Sequence, residues 1–235
     1  MPFRSSAVAL AVLATTGLLI APAAQASSRS VQVNGNQLRS ALLPASAFGS
    51  VYQLGTSASS GGSLLRVPAR GRISGLSCAD FEDTPGVGTF GQTAYAWRIV
   101  ANPSPLAGFP ETRIYYAQAV VQFTSARAVA SFLSQAYAKY AACGDFTQPV
   151  PSNLHIGGLL ESRVLSISRT SIGAYPAFRV AQSAELTKIR ISILLNTLAV
   201  VAGPDVFMIV SAGGTNVPVP ASFMRALVSR VQQLR

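Results

Sequence analysis

"TRIYYAQAVVQFTSARAVASFLSQAYAKYAAC", residues 112–143, changes its period halfway along. Up to Phe123 it alternates. Arg113, Tyr115, Ala117, Ala119, Val121 and Phe123 share one side, and Ile114, Tyr116, Gln118, Val120 and Gln122 share the other. A period of two is a β-strand. Beyond Thr124, Val129, Phe132, Leu133, Ala136 and Tyr140 recur at three and four, which is an amphipathic helix with Thr124 or Ser125 as N-cap. The small Ala117 and Ala119 let that helix lie close on the sheet to which the strand belongs.

Working outward, "TAYAWRIV" (93–100) alternates too, with Tyr95, Trp97 and Ile99 on one side. The turn-rich "ANPSPLAGFP" (101–110) separates it from the next strand, so the two pair antiparallel. "NQLRSALLPASAFG" (36–49) places Leu38, Ala41 and Leu42 at helical spacing, with Asn36 as N-cap and Pro44 as the break. "GTSASSGGS" (55–63) reads as an exposed, flexible loop. "LLESRVLSIS", "YPAFRVAQSAEL", "KIRISILLNTLAVV" and "DVFMIVSA" are four further strands. The apolar stretch 191–212 is interrupted by Asn196 and by "AGPD" (202–205), so it reads as a hairpin and not as a membrane helix. Phe223, Leu227, Val231 and Leu234 make the last segment an amphipathic helix. The economical solution is an α+β single domain: an antiparallel β-sheet with amphipathic helices packed on one face.

The N-terminus carries a different message. Arg4, the apolar run 7–21 and the small residues Ala24 and Ala26 form a secretory signal peptide, residues 1–26. Residues 27–35 read as a flexible N-terminus and 36–235 as the folded domain. No transmembrane span remains after cleavage.

The formal charge of +10 comes almost wholly from scattered arginines. An exported chain rarely meets nucleic acid, so acidic envelope polymers or anionic head groups are the better partners for that charge. Export also decides the cysteines. Cys78 and Cys143 are the only two, and outside the membrane they form one disulfide. It closes a loop of about 65 residues, worth roughly 4 kcal/mol. A thiol nucleophile or a zinc site would need imidazoles, and His155 stands alone in a turn-rich link. Asp80, Glu82 and Asp83 lack the ligand series of a calcium loop. No G-x-S-x-G elbow is present. The reading is therefore of no catalytic residues, no metal and no cofactor.

Several segments together resemble the actinobacterial PknH-like extracellular sensor domain family. They are "LRSALLP" (38–44), "LSCADF" (76–81), "TFGQTAYA" (89–96), "AVVQFTSARAVASFLSQAYAKYAAC" (119–143) and "FMRALVSRVQQLR" (223–235). The resemblance spans about 36–235. It implies an α+β fold with a cleft, a sensing or binding role without catalysis, and the same Cys78–Cys143 bridge. The chain departs from the family pattern at Tyr140, where a tryptophan usually stands, and in having no cysteines for a second disulfide.

A ligand site follows from the alternation if helices cover only the apolar side of the sheet. The other side then presents Tyr95, Trp97, Tyr116, Gln118 and Gln122, with Arg179, Arg190 and Ser192 from later strands. Aromatics, amides and arginines suit a small ligand with an apolar body and an anionic group. The protein is expected to be secreted or wall-associated. Its partner is an unknown small ligand or envelope component, with a membrane signalling protein to receive the signal. A basic, envelope-associated structural protein is the alternative, and an extracellular hydrolase ranks below both.

Overall fold

The period change at Thr124 is a real boundary. A computed structural model describes residues 33–61, 91–102, 114–133, 145–149, 159–186 and 190–235. Strand gives way to helix at 126, and Ser125 Oγ caps the new helix by accepting from Ala128 N at 3.1 Å. Cys78, Cys143, Tyr140, His155, the turn expected at Asp80–Asp83 and the expected signal peptide lie outside the described residues.

Eight strands form one sheet: β1 (Gln53–Gly61), β2 (Gln92–Ala101), β3 (Tyr115–Phe123), β4 (Asp145–Pro149), β5 (Leu159–Ile172), β6 (Tyr175–Leu186), β7 (Ile191–Ala202) and β8 (Asp205–Gly213). Their order is β1-β2-β3-β8-β7-β6-β5-β4, with every neighbouring pair antiparallel. Two meanders, β1–β3 and β4–β8, are thus joined where β3 meets β8. These central strands are buried on both sides, which is why "DVFMIVSAG" is apolar almost without alternation.

The turns follow from glycine. Gly173 and Gly203 each open a two-residue hairpin at φ +62°, closed by the pairs Ile172↔Tyr175 and Ala202↔Asp205. A glycine with positive φ at the first turn position matches the right-handed twist of the flanking strands. Pro204 follows Gly203 where its fixed φ is tolerated, so the stretch 191–212 folds back as the hairpin expected of it.

Three α-helices accompany the sheet among the described residues: α1 (Gly35–Ala41), α2 (126–133) and α3 (Ala221–Gln232), with a 3-10 turn at Ala45–Phe48. The cap of α1 is Asn34, not Asn36. Asn34 Oδ1 accepts from Gln37 N and Asn34 N donates to Gln37 Oε1, both at 2.9 Å, a reciprocal capping box. Val33, just before it, is buried, so the packed domain includes residues 33–35 as well.

Two further expectations change. The Ser/Gly stretch from Gly55 is not a loop through Gly61; it belongs to β1, outermost of the described strands, which pairs with β2 across a bulge between Leu54 and Ser57. Serine and glycine have little strand preference of their own, and the backbone partner on β2 supplies what the side chains do not. The helices are also shared between faces. α1, α3 and the 3-10 turn cover the side carrying Val100, Val120, Leu198, Phe207 and Ile209. α2 packs Val129 and Leu133 on Val121, Phe123 and Val206, on the opposite side. Both sides of this sheet are apolar, so both need cover.

Candidate functional site

Register decides which side chains can meet. On the first face, Arg98, Gln118, Ile209, Leu198 and Arg179 form one row across β2, β3, β8, β7 and β6. On the second face, Ile99, Ala117, Val210, Thr197, Val180 and Ile167 form another, running from β2 to β5. Trp97 and Ala119 stand one row away on that second face, and Tyr95 and Val121 one row beyond them.

The expected ligand residues therefore do not converge. Tyr95 and Trp97 lie on the second face. Tyr116, Gln118, Gln122 and Arg179 lie on the first, under the helices. Each of those four has a structural partner. Tyr116 stacks on Phe48 at 4.9 Å and meets Tyr52 and Phe223 edge-on at 5.4 and 5.8 Å. Burial raises the pKa of both Tyr116 and Tyr52, which hydrogen-bond one another. Gln118 is fully buried and holds the Leu43 backbone. Gln122 Oε1 accepts from Val33 N at 3.2 Å, and Arg179 donates to Val219 O at 3.0 Å. Arg190 is exposed at φ 52° in the β6–β7 turn, beside the exposed Ser192, away from both faces' centres.

The second face holds something the alternation signalled but the ligand expectation passed over. Trp97, Ile99, Ala117, Ala119, Phe178, Val180, Leu195, Ala199, Met208 and Val210 form an apolar floor, and every described member comes from the sheet. Within it sit Gln182 and Thr197, only 1% and 2% exposed. Gln182 Nε2, Gln182 Oε1 and Thr197 Oγ1 have no hydrogen-bond partner. The pairs Gln182↔Leu195 and Val180↔Thr197 make them diagonal neighbours on adjacent strands. Each buried polar group left unpaired costs roughly 1–3 kcal/mol, so native chains rarely keep one without a use. The signal was legible: in "FRVAQSAEL" and "ILLNTLAVV" a glutamine and a threonine interrupt an otherwise apolar alternation. Trp97 stands three strands from Thr197, about 14 Å across the sheet.

Chemically, this floor offers dispersion contact plus one amide donor, one amide acceptor and one hydroxyl. None of the apolar floor residues carries a charge. Among the described residues, no three of His, Cys, Asp or Glu come together as metal ligands. No helix among them is long and apolar enough to cross a membrane.

No protein-family model matches the chain, and no curated protein matches it. Solved structures do. The crystal structure of the extracellular domain of PknH from Mycobacterium tuberculosis superposes with a TM-score of 0.58 at 17% identity, covering 86% of this chain and 97% of that one. An uncharacterized protein from Mycobacterium smegmatis, the Rv0999 ortholog, gives a TM-score of 0.39 at 12% identity, covering 80% and 92%. By the first of these likenesses the chain has the fold of the PknH extracellular domain, as its sequence segments implied.

Proposed function

We propose that the protein is a secreted, non-catalytic sensing or binding domain. Its ligand has an apolar body, lies on the second face of the sheet, and hydrogen-bonds Gln182 and Thr197. The carrying observation is the trio of buried, unpartnered side-chain atoms set in an apolar floor. Specific pockets are built this way, largely apolar with a few polar groups that fix orientation. The fold likeness to an extracellular domain and the N-terminal leader support an extracellular setting. Trp97 contributes apolar surface at the far side of the floor. In this reading a membrane signalling protein is the partner that receives the signal. The Cys78–Cys143 disulfide belongs to the same reading, and a denatured, unreduced sample should show no labelled thiol.

The test is native mass spectrometry of the protein isolated gently from its own host, beside Gln182→Leu made the same way. The wild type should carry a stoichiometric small molecule that the variant lacks. A wild type that is empty, or a variant that retains the molecule, would sink this reading.

A further inference from the structure

We propose that Arg39, Arg98 and Arg230, gathered around the C-terminal end of α1, form a binding site for a phosphate group. This site is on the first face, behind the helices, and does not depend on the ligand floor.

The geometry is built from five successive backbone carbonyls. Arg98 donates from Nη1 to Leu42 O at 3.2 Å and to Leu43 O at 3.0 Å, and from Nη2 to Arg39 O at 3.3 Å. Arg230, from α3, donates from Nε to Ala41 O at 2.8 Å and from Nη2 to Ser40 O at 3.2 Å. Arg39 projects from the same helical turn and is exposed. The carbonyl end of a helix attracts cations, which explains the two guanidiniums that donate to it. It does not explain three. No carboxylate among the described residues pairs with any of them; Asp205 is committed to Arg235.

Uncompensated charge has a visible effect. Burial lowers the pKa of Arg98, and repulsion from Arg230 and then from Arg39 lowers it further. Two of the cations are nevertheless locked in place by the carbonyls. Arg98 Nε and Arg230 Nη1 remain without a partner among the described residues, as does the whole Arg39 guanidinium. A planar carboxylate is satisfied by one two-pronged guanidinium. Three neighbouring arginines on three different elements, close enough to repel one another, suit a tetrahedral oxyanion instead. A phosphate placed there would neutralise the cluster without displacing the helix cap.

Two sources share this chemistry, free phosphate and the phosphate of a lipid head group. The full-length protein would be titrated with inorganic phosphate against chloride at equal ionic strength, following the arginine Nε–H signals by NMR. In parallel it would be sedimented with phosphatidylcholine vesicles with and without phosphatidylglycerol. Arg39→Gln removes the cation that has no structural contact, so the fold should be kept. Arg225→Gln is the matched control, an exposed arginine on another side of α3. Binding in either arm that falls about tenfold in Arg39→Gln and holds in Arg225→Gln supports the site. Saturation by inorganic phosphate identifies a free-phosphate site, and binding to the anionic vesicles alone identifies the lipid. Absence of binding in both arms overturns the proposal. So does an equal loss in the two variants, which would mean unspecific attraction to charge.

Discussion

Gln118 grips the backbone of Leu43 with both ends of its amide: Oε1 accepts from Leu43 N and Nε2 donates to Leu43 O, each at 2.8 Å. Leu43 follows α1, where the chain has left one helix and not yet begun the 3-10 turn. Its peptide groups are buried and have no regular partner. Gln118 imitates a neighbouring strand for this one residue, and Arg98 fills the second lone pair of Leu43 O. Gln118→Leu would keep the volume, leave Leu43 N without a partner and take from Leu43 O one of its two donors. It should destabilise the protein by roughly 2–4 kcal/mol, measured by chemical denaturation. A loss under 1 kcal/mol would mean that water replaces the amide.

The same residue shows where the sequence was legible and where it was not. Period two along 112–123 correctly separates Tyr116, Gln118 and Gln122 from Ala117, Ala119 and Val121. What it cannot give is the phase between strands. Parity within β2 groups Tyr95 with Trp97, but only the pairing Trp97↔Ala119 says which side of β3 they join. A ligand set read from parity alone crosses that missing phase and therefore straddles the sheet. β1 is hidden from a sequence reading for another reason, since its serines and glycines form a strand only because β2 lies alongside. The amphipathic C-terminal helix was readable, and Met224, Leu227, Val228 and Val231 are its buried stripe. That Arg230, on its polar side, would cap α1 depends on a contact far away in sequence.

Asp205 binds Arg235 at 2.6 Å and is only 2% exposed. Burial raises its pKa, while Arg235 and then Gln122 pull it down, and burial prevails. The sign follows from linkage. A carboxyl with a folded pKa above its unfolded one contributes stability at low pH and loses it as pH rises through the folded value. Arg235→Gln removes the main opposing charge and should cost about 3 kcal/mol at neutral pH. That loss should shrink as the pH falls toward the carboxylate range, where Asp205 protonates and no longer needs a cation. Denaturation of wild type and variant at several pH values reads this directly; a pH-independent difference would contradict it.

Two glycines separate backbone strain from crowding. Gly91 sits at φ +75°, and a Cβ there would meet Thr124 Oγ1 at 2.7 Å. Its carbonyl also accepts from Thr124 N at 2.8 Å, fixing the distance between them. Gly203 sits at φ +62° with nothing within 4 Å of a Cβ. Gly203→Ala should cost only the backbone term, roughly 1–2 kcal/mol. Gly91→Ala should cost more, because Thr124 must also give way. Equal melting temperatures for the two variants would show that Thr124 turns aside freely.

The floor of the second face makes the sharpest demand, because stability and binding should move in opposite directions. Thr197 Oγ1 is buried without a partner, so Thr197→Val exchanges an unsatisfied hydroxyl for a methyl of similar shape. Gln182→Leu does the same for an amide. If these groups exist only to fold the chain, removing them should be harmful. If they are held ready for a ligand, the ligand-free protein should gain about 1–3 kcal/mol from each change and lose ligand affinity. Denaturation of the ligand-free variants supplies the first half, and native mass spectrometry of protein from the host supplies the second. More stable variants that no longer hold the ligand would fit a binding floor. Variants that are less stable would mean that Gln182 and Thr197 are satisfied from within the protein, and the floor would then be ordinary core.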